Sequence, residues 1–221
     1  MRTVVFDLDG TLADTSADLI AAANACFAAM GNGKPLDPVA DALTAFAGGR
    51  AMLRLGFGRL GQAWDEGDVT AQYPVLLRAY DGAIAQHTRL YPEALAAVTA
   101  LRAQGYATAI CTNKPEALAV KLCDALGISG LFDALLGADT LPVRKPDPEH
   151  LFETIRRVGG TPARSVLIGD TVTDLDTARA AGVPIVLVGF GPEGAGVARM
   201  APDAILAHYN DLNALVARML P

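Results

Sequence analysis

The sequence predicts an α/β protein: a doubly wound, Rossmann-like core on a parallel sheet, with a small all-helical cap domain inserted into it. Three observations carry that prediction. From about residue 93 to the C-terminus, short apolar or β-branched runs alternate with helical stretches, the order that builds a parallel sheet covered on both faces. One more such run, Thr3 to Phe6, stands alone at the N-terminus. Residues 15–88, between the two, read as helical pieces with no convincing strand.

Each element has its own signal. Thr3 to Phe6 is β-branched and aromatic and stops at Asp7, as a buried strand would. Asp14-Thr15-Ser16 offers N-caps to an Ala-rich helix that stops at Gly31. Pro35, Gly48-Gly49, Gly56, Gly58, Gly61 and Gly67 then break the chain into shorter helical pieces. After Tyr91-Pro92 the texture changes. A helix at about 93–104 ends at Gly105, and Ala107 to Cys111 is a strand that meets Thr112-Asn113. Pro115 begins a helix that runs to Gly127, and Ala134 to Gly137 is a weak strand. Pro148 begins another helix, which ends at Gly159-Gly160. Ser165 to Ile168 is a strand that leads into Gly169-Asp170 and a helix to Gly182. Ile185 to Val188, Ala204 to Leu206 and a helix at about 210–219 complete the chain. The expected division is 1–14 with 89–221 as the α/β catalytic core, and 15–88 as the cap.

Composition narrows the function. The 221 residues carry 18 Lys+Arg against 24 Asp+Glu, and only Lys34, Lys114, Lys121 and Lys145 are lysines. With 52% apolar and 19% charged residues the chain is too apolar to be disordered. An acidic balance without a basic block argues against nonspecific nucleic-acid binding, though not against an anionic substrate. Leu19 to Met30, the longest apolar stretch, is too short to cross a bilayer, and the N-terminus does not read as a signal peptide. Cys26, Cys111 and Cys123 are odd in number and irregularly spaced, which suits inert thiols in a reducing cytoplasm. The expectation is therefore a cytoplasmic protein with a small-molecule partner, no nucleic acid and no membrane.

In open α/β sheets, ligands bind beyond the carboxyl ends of the strands. Asp7 and Asp9 follow the first core strand, Thr112 the second, and Asp170 the strand at 165–168. Asp7 and Asp9 are two apart, so extended backbone would point both the same way, and Gly10 lets the chain turn close to a ligand. Two carboxylates held together can divide into an ionised nucleophile and a protonated acid/base. Asp170 and Asp174, four apart, fall on one face of a starting helix. Three or four carboxylates in one place require a cation, and an oxygen-only cluster without His or Cys points to Mg²⁺. Lys145, in Arg-Lys-Pro-Asp-Pro, would supply a fixed positive charge, and Thr112 and Asn113 uncharged donors to phosphoryl oxygens.

With these residues in hand, the chain resembles the haloacid dehalogenase-like hydrolases over nearly its whole length. Asp7-Leu8-Asp9-Gly10-Thr11 is similar to that family's first motif, Thr112 to its second and Lys145 to its third. Gly169-Asp170-Thr171-Val172-Thr173-Asp174 is similar to its fourth. Thr112-Asn113-Lys114-Pro115 and the short helical insertion look most like phosphoglycolate phosphatases. The resemblance implies a Mg²⁺-dependent phosphatase of a small phosphomonoester such as 2-phosphoglycolate. Asp7 is then the nucleophile that forms an aspartyl-phosphate, and Asp9 the general acid/base. It implies Mg²⁺ on Asp7, the Asp9 backbone carbonyl and Asp170, with Asp174 behind them anchoring metal waters or orienting Lys145. Thr112 and Lys145 would hold phosphoryl oxygens, and the cap would exclude water and read the organic part of the substrate.

Other readings remain open. Sugar and amino-sugar phosphates are alternative substrates. A phosphosugar mutase is disfavoured because Asp14-Thr15-Ser16-Ala17-Asp18-Leu19 lacks the early cap histidine of similar mutases. A phospho-receiver or binding module is disfavoured because the acid pair and the candidate nucleophile share one strand. Gly48-Gly49-Arg50 reads either as a flexible loop that presents a cation to the substrate or as a helix stop and start with a solvated arginine. Gly49, Arg50, Asn113 and Lys114 are taken as substrate-binding candidates. If Asp9 is protonated, the other three carboxylates balance one Mg²⁺ plus Lys145, and a bound phosphomonoester leaves room for one more cation, Lys114 or Arg50. His87, His150 and His208 have no mutual metal spacing and read as structural or surface; Trp64 reads as core.

Overall fold

The computed structural model describes residues 1–221. The chain falls into two compact units, Met1–Asp14 with Leu90–Pro221, and Thr15–Arg89. The second boundary therefore lies after Arg89 rather than before it.

In the first unit, β1 (Thr3–Phe6) leads to the short β2 (Ala13–Asp14), and after residues 15–89 the chain returns through β3 (Arg89–Leu90). There follow α5 (Ala94–Ala103), β4 (Ala107–Cys111), α6 (Glu116–Ala125), β5 (Ala134–Leu136), α7 (Pro148–Arg157) and β6 (Ser165–Gly169). The unit closes with α8 (Val172–Ala181), β7 (Ile185–Val188), β8 (Ala204–Leu206) and α9 (Leu212–Met219). Six strands form one parallel sheet in the order β5-β4-β1-β6-β7-β8. Every residue of β1, β4, β6 and β7 is buried, which is why these strands read as continuous apolar runs rather than as alternations. Val5, Leu167 and Leu187 pack with Leu151 and Ile155 of α7 and Leu175 and Ala178 of α8 in one cluster.

Local chemistry sets the helix ends. Asp147 caps α7 through Glu149 N–H, with Pro148 in the first turn. Thr171 and Asp174 form a capping box at the start of α8, and Gly182, at φ +63°, ends it.

The second unit contains α1 (Ser16–Ala29), α2 (Ala42–Phe46), α3 (Gly49–Arg59) and α4 (Glu66–Gly82), and no strand beyond the edge residue Arg89. Thr15, of the expected caps Asp14-Thr15-Ser16, is the N-cap residue of α1 and makes no side-chain capping bond. Buried Asp18 instead accepts from the backbone of His87 and Thr88 and from the Thr88 hydroxyl, tying α1 to the end of the unit. Asn24 clamps the Leu36 backbone through both its amide groups. Phe27 meets Phe57 edge-to-face at 5.1 Å, and a Cβ on Gly56 would come within 2.2 Å of the Phe27 ring. Trp64 stacks on Phe57 at 6.0 Å but is 37% exposed, so it covers the cluster rather than lying in the core.

Candidate active site

Sheet register assembles the site. Phe6 pairs with Ile110 on one side and Ile168 on the other. One or two residues further on, Asp7, Thr112 and Asp170 leave three adjacent strands at the same carboxyl edge. Here the strand order reverses: β4 and β5 lie to one side of β1, and β6, β7 and β8 to the other. That is the topological switch point at which open α/β sheets bind ligands.

Asp7, Asp170 and Asp174 are all buried, and carboxylate oxygens from the three lie within 4.8 Å of one another. Lys145, also buried, places Nζ 2.9 Å from Asp7 Oδ1 and 2.6 Å from Asp174 Oδ1. The contact with Asp7 lacks hydrogen-bond alignment, so Asp7 Oδ1 is a buried carboxylate oxygen that accepts no hydrogen bond. Asp174 is fully engaged. Its Oδ1 accepts from Lys145, and its Oδ2 accepts from Asp170 N–H, Thr171 N–H and the Thr171 hydroxyl. It is at once a member of the capping box of α8 and the anchor of Lys145. Thr11, completely buried, donates its hydroxyl to Asp170 Oδ1 at 3.0 Å.

The electrostatics follow from this crowding. Burial, with the charges of Asp174 and Asp9 added, raises the Asp7 carboxyl to about 6 against the pull of Lys145. Burial and then the charges of Asp174 and Asp7 lift Asp170 well above the usual carboxylate range. Burial would raise Asp174 too, but Lys145 and the Thr171 donors outweigh it and hold that carboxyl low. Burial works against the Lys145 ammonium, yet Asp174 and Asp7 more than compensate and keep it charged.

Asp9 stands apart from the three-carboxylate group. Strand β1 ends at Phe6, and Asp9 lies in the turn beyond it, where it bridges to Ala13. Its two oxygens accept from Lys114 Nζ at 2.8 and 3.0 Å. Asp7 and Asp9 thus each have their own lysine, while the charge of Asp9 still acts on the Asp7 carboxyl. Lys114, taken from the sequence as a substrate contact, is a partner of Asp9.

Thr112 is buried, with its N–H on Leu136 O and its hydroxyl oxygen accepting from Lys114 N–H. Asn113 donates its side-chain amide to the Lys145 carbonyl at 2.9 Å, tying the loop after β4 to the loop that carries Lys145. His150 is buried rather than at the surface, with Nε2 2.9 Å from Gly137 O and Nδ1 3.3 Å from Cys111 Sγ. It links the ends of β4 and β5 to α7, a role that its spacing in the sequence does not reveal.

Gly49 and Arg50 lie in the other unit. Gly48, at φ +97°, precedes α3, and Gly49-Arg50 form its first turn, so they are not a flexible loop. Arg50 Nη1 donates to Thr70 Oγ1 at 3.1 Å, and its guanidinium lies 4.7 Å from the Tyr73 ring centre.

The oxygen-only donor set suits a divalent cation. Four carboxylates face two ammonium groups, which leaves two formal negative charges among buried or half-buried groups. Asp7 Oδ1, which accepts no aligned hydrogen bond, and the mutual repulsion of the buried carboxylates fit oxygen ligands for such a cation.

Residues 1–182 match the family model described as haloacid dehalogenase-like hydrolase. The chain belongs to that family. It is 39% identical to the phosphoglycolate phosphatase of Mesorhizobium japonicum, over 98% of this chain and 95% of that one. It is 37% identical to the phosphoglycolate phosphatase of Agrobacterium fabrum, over 93% and 88%. The structure of a predicted phosphoglycolate phosphatase from Haemophilus somnus superposes with a TM-score of 0.83 at 25% identity, covering 97% of both chains. This hydrolase therefore shares its fold with that structure over nearly its whole length, and it covers most of the length of both sequence relatives. No helix in it is long and apolar enough to cross a membrane.

Proposed function

We propose that the chain is a Mg²⁺-dependent phosphatase of a small phosphomonoester, with 2-phosphoglycolate as the first substrate to test. The observation that carries this reading is Asp7 Oδ1: buried, without an aligned donor, and beside a fixed lysine at the switch point. A carboxylate oxygen with no aligned donor supports the reading of Asp7 as the nucleophile. The relatives named phosphoglycolate phosphatase support the choice of substrate.

The Asp7 carboxylate attacks phosphorus, forming an acyl-phosphate bond as the ester P–O bond breaks. Asp9 gives its proton to the leaving alkoxide. It then takes a proton from the water that attacks phosphorus, and phosphate leaves as the Asp7 carboxylate re-forms. Lys145 and the Thr112 hydroxyl meet the phosphoryl oxygens. Asp174 holds Lys145, and Asn113 holds the backbone that carries it. Asp7, Asp170 and the Asp9 backbone carbonyl would hold Mg²⁺, with Asp174 behind them. A bound cation there supplies positive charge against the phosphoryl oxygens and the nucleophile. Residues 15–89 are assigned the choice of the organic part of the substrate.

The test is phosphate release from a panel of phosphate esters with Mg²⁺, repeated in EDTA and with Asp7→Asn and Asp9→Asn. Many equivalents of phosphate per enzyme are expected, with no turnover in EDTA or by Asp7→Asn. Asp9→Asn is expected to lose about 10²–10⁴ in rate. Near-normal activity of Asp7→Asn would refute the covalent route.

A further inference from the structure

We infer that Tyr209 is a positioning residue for Asp170, acting through Thr11. The inference rests on the reading of Asp170 as a metal ligand. Tyr209 lies near the C-terminus, beyond residue 182 where the family match ends, in a short turn just before α9. It is 2% exposed, and its hydroxyl donates to the Thr11 carbonyl at 2.7 Å. Thr11 in turn donates to Asp170 Oδ1. Three segments far apart in the chain thus form one hydrogen-bonded series from a phenol to the proposed ligand.

The neighbours show that the series is built into the packing. Phe190 lies against the Tyr209 ring at 5.1 Å and against Tyr91 at 5.0 Å. Tyr91 N–H donates to the carbonyl of Leu12, the residue after Thr11. The turn after Asp9 is therefore held at two consecutive carbonyls, once by Tyr91 N–H and once by the Tyr209 hydroxyl. A Cβ on Gly191 would stand 3.0 Å from Gly10 O and 3.6 Å from Asp170 Cβ, so the chain after β7 backs the same turn. The hydroxyl is the only part of Tyr209 that reaches Thr11 by hydrogen bonding, and a phenylalanine would keep the ring contacts. A carboxylate that accepts from a fixed hydroxyl has its rotation set before a cation arrives, and ligands oriented in this way bind more tightly.

Mn²⁺ titration followed by electron paramagnetic resonance, without substrate, tests the inference on the full chain. Tyr209→Phe is expected to weaken Mn²⁺ binding about two- to tenfold, the effect of one lost orienting hydrogen bond. Thr11→Val should lose at least as much, Thr11→Ser should bind like the wild type, and the double variant should be no worse than Thr11→Val alone. Leu215→Ala, which trims a buried side chain of α9 without touching the hydrogen-bonded series, serves as the control for loosening of the C-terminal segment. Unchanged Mn²⁺ affinity in Tyr209→Phe overturns the inference, as does an equal loss in Leu215→Ala. Asp170→Asn tests the underlying metal reading separately. If it binds as the wild type does, that reading fails whatever Tyr209 does, and the inference falls with it.

Discussion

Lys114 Nζ lies 2.8 and 3.0 Å from the two carboxylate oxygens of Asp9, so the residue proposed as acid and base meets a cation before any substrate does. The lysine side chain is only 5% exposed, and its backbone N–H is fixed on the Thr112 hydroxyl, so the pair is set by the fold. Lys114→Met should lower kcat about 10- to 100-fold with a smaller change in KM, because Asp9 loses its orientation. Steady-state kinetics decide the matter. A raised KM with unchanged kcat would instead make Lys114 a substrate contact.

Asp7 links the site to stability. Its carboxyl is raised from 3.8 to about 6, so the neutral form is favoured in the folded state. The stabilisation from that shift is complete below about pH 4 and is lost as pH rises through 6. Above that, the metal-free protein carries an unfavourable buried charge, which Asp7→Asn removes. In EDTA, Asp7→Asn should be more stable than the wild type at pH 8 by on the order of 1–3 kcal/mol, with the gain shrinking towards pH 4. Denaturant titrations at both pH values measure this. A variant less stable than the wild type at pH 8 would show that the Lys145 ion pair outweighs the cost.

Gly56 is expected to tolerate no side chain. Its missing Cβ leaves room for the Phe27 ring, and alanine there must push that ring off Phe57. Gly56→Ala should cost about 1–3 kcal/mol, whereas Gly58→Ala, with nothing within 4 Å, should be neutral or stabilising. Thermal melting of the two variants compares them directly.

Arg50 lies on Tyr73 and Thr70, contacts that join α3 to α4. Arg50→Ala should lower stability by about 0.5–1 kcal/mol, the scale of an exposed cation–π contact, and leave kcat/KM within about threefold. A tenfold or greater rise in KM would assign the guanidinium to the substrate instead.

The parts of the fold legible in the sequence are those that burial writes into residue type. Thr3–Phe6, Ala107–Cys111 and Ile185–Val188 are apolar or small throughout because helices cover both faces of these strands. Asp7, Thr112 and Asp170 were legible for a related reason: a polar residue directly after such a run marks a strand end. Pairings between loops were not. Nothing in Thr-Asn-Lys-Pro says that Lys114 turns to Asp9 while Asn113 turns to the Lys145 carbonyl, because both depend on how loops after different strands pass each other. Asp174 lies in the carboxylate cluster and orients Lys145, as the resemblance implies, whereas its share in the capping box of α8 was not read from the sequence. Tyr209 carries no periodic or motif signal, since its hydroxyl meets a backbone carbonyl that any residue could offer.

The register of β1 also bears on how the protein folds. Thr3 has its sheet partners at Ala107 and Ser165, far along the chain. The first strand therefore stays unpaired until the chain has reached Ala107, and all contacts within residues 15–89 can form in the meantime. Such long-range pairing is slow and leaves an apolar strand exposed to wrong partners. Asp7 therefore meets Lys145 and Asp170 only after the long stretch of chain between them has been made, which makes the carboxylate cluster a report that the strands on both sides of β1 are in place.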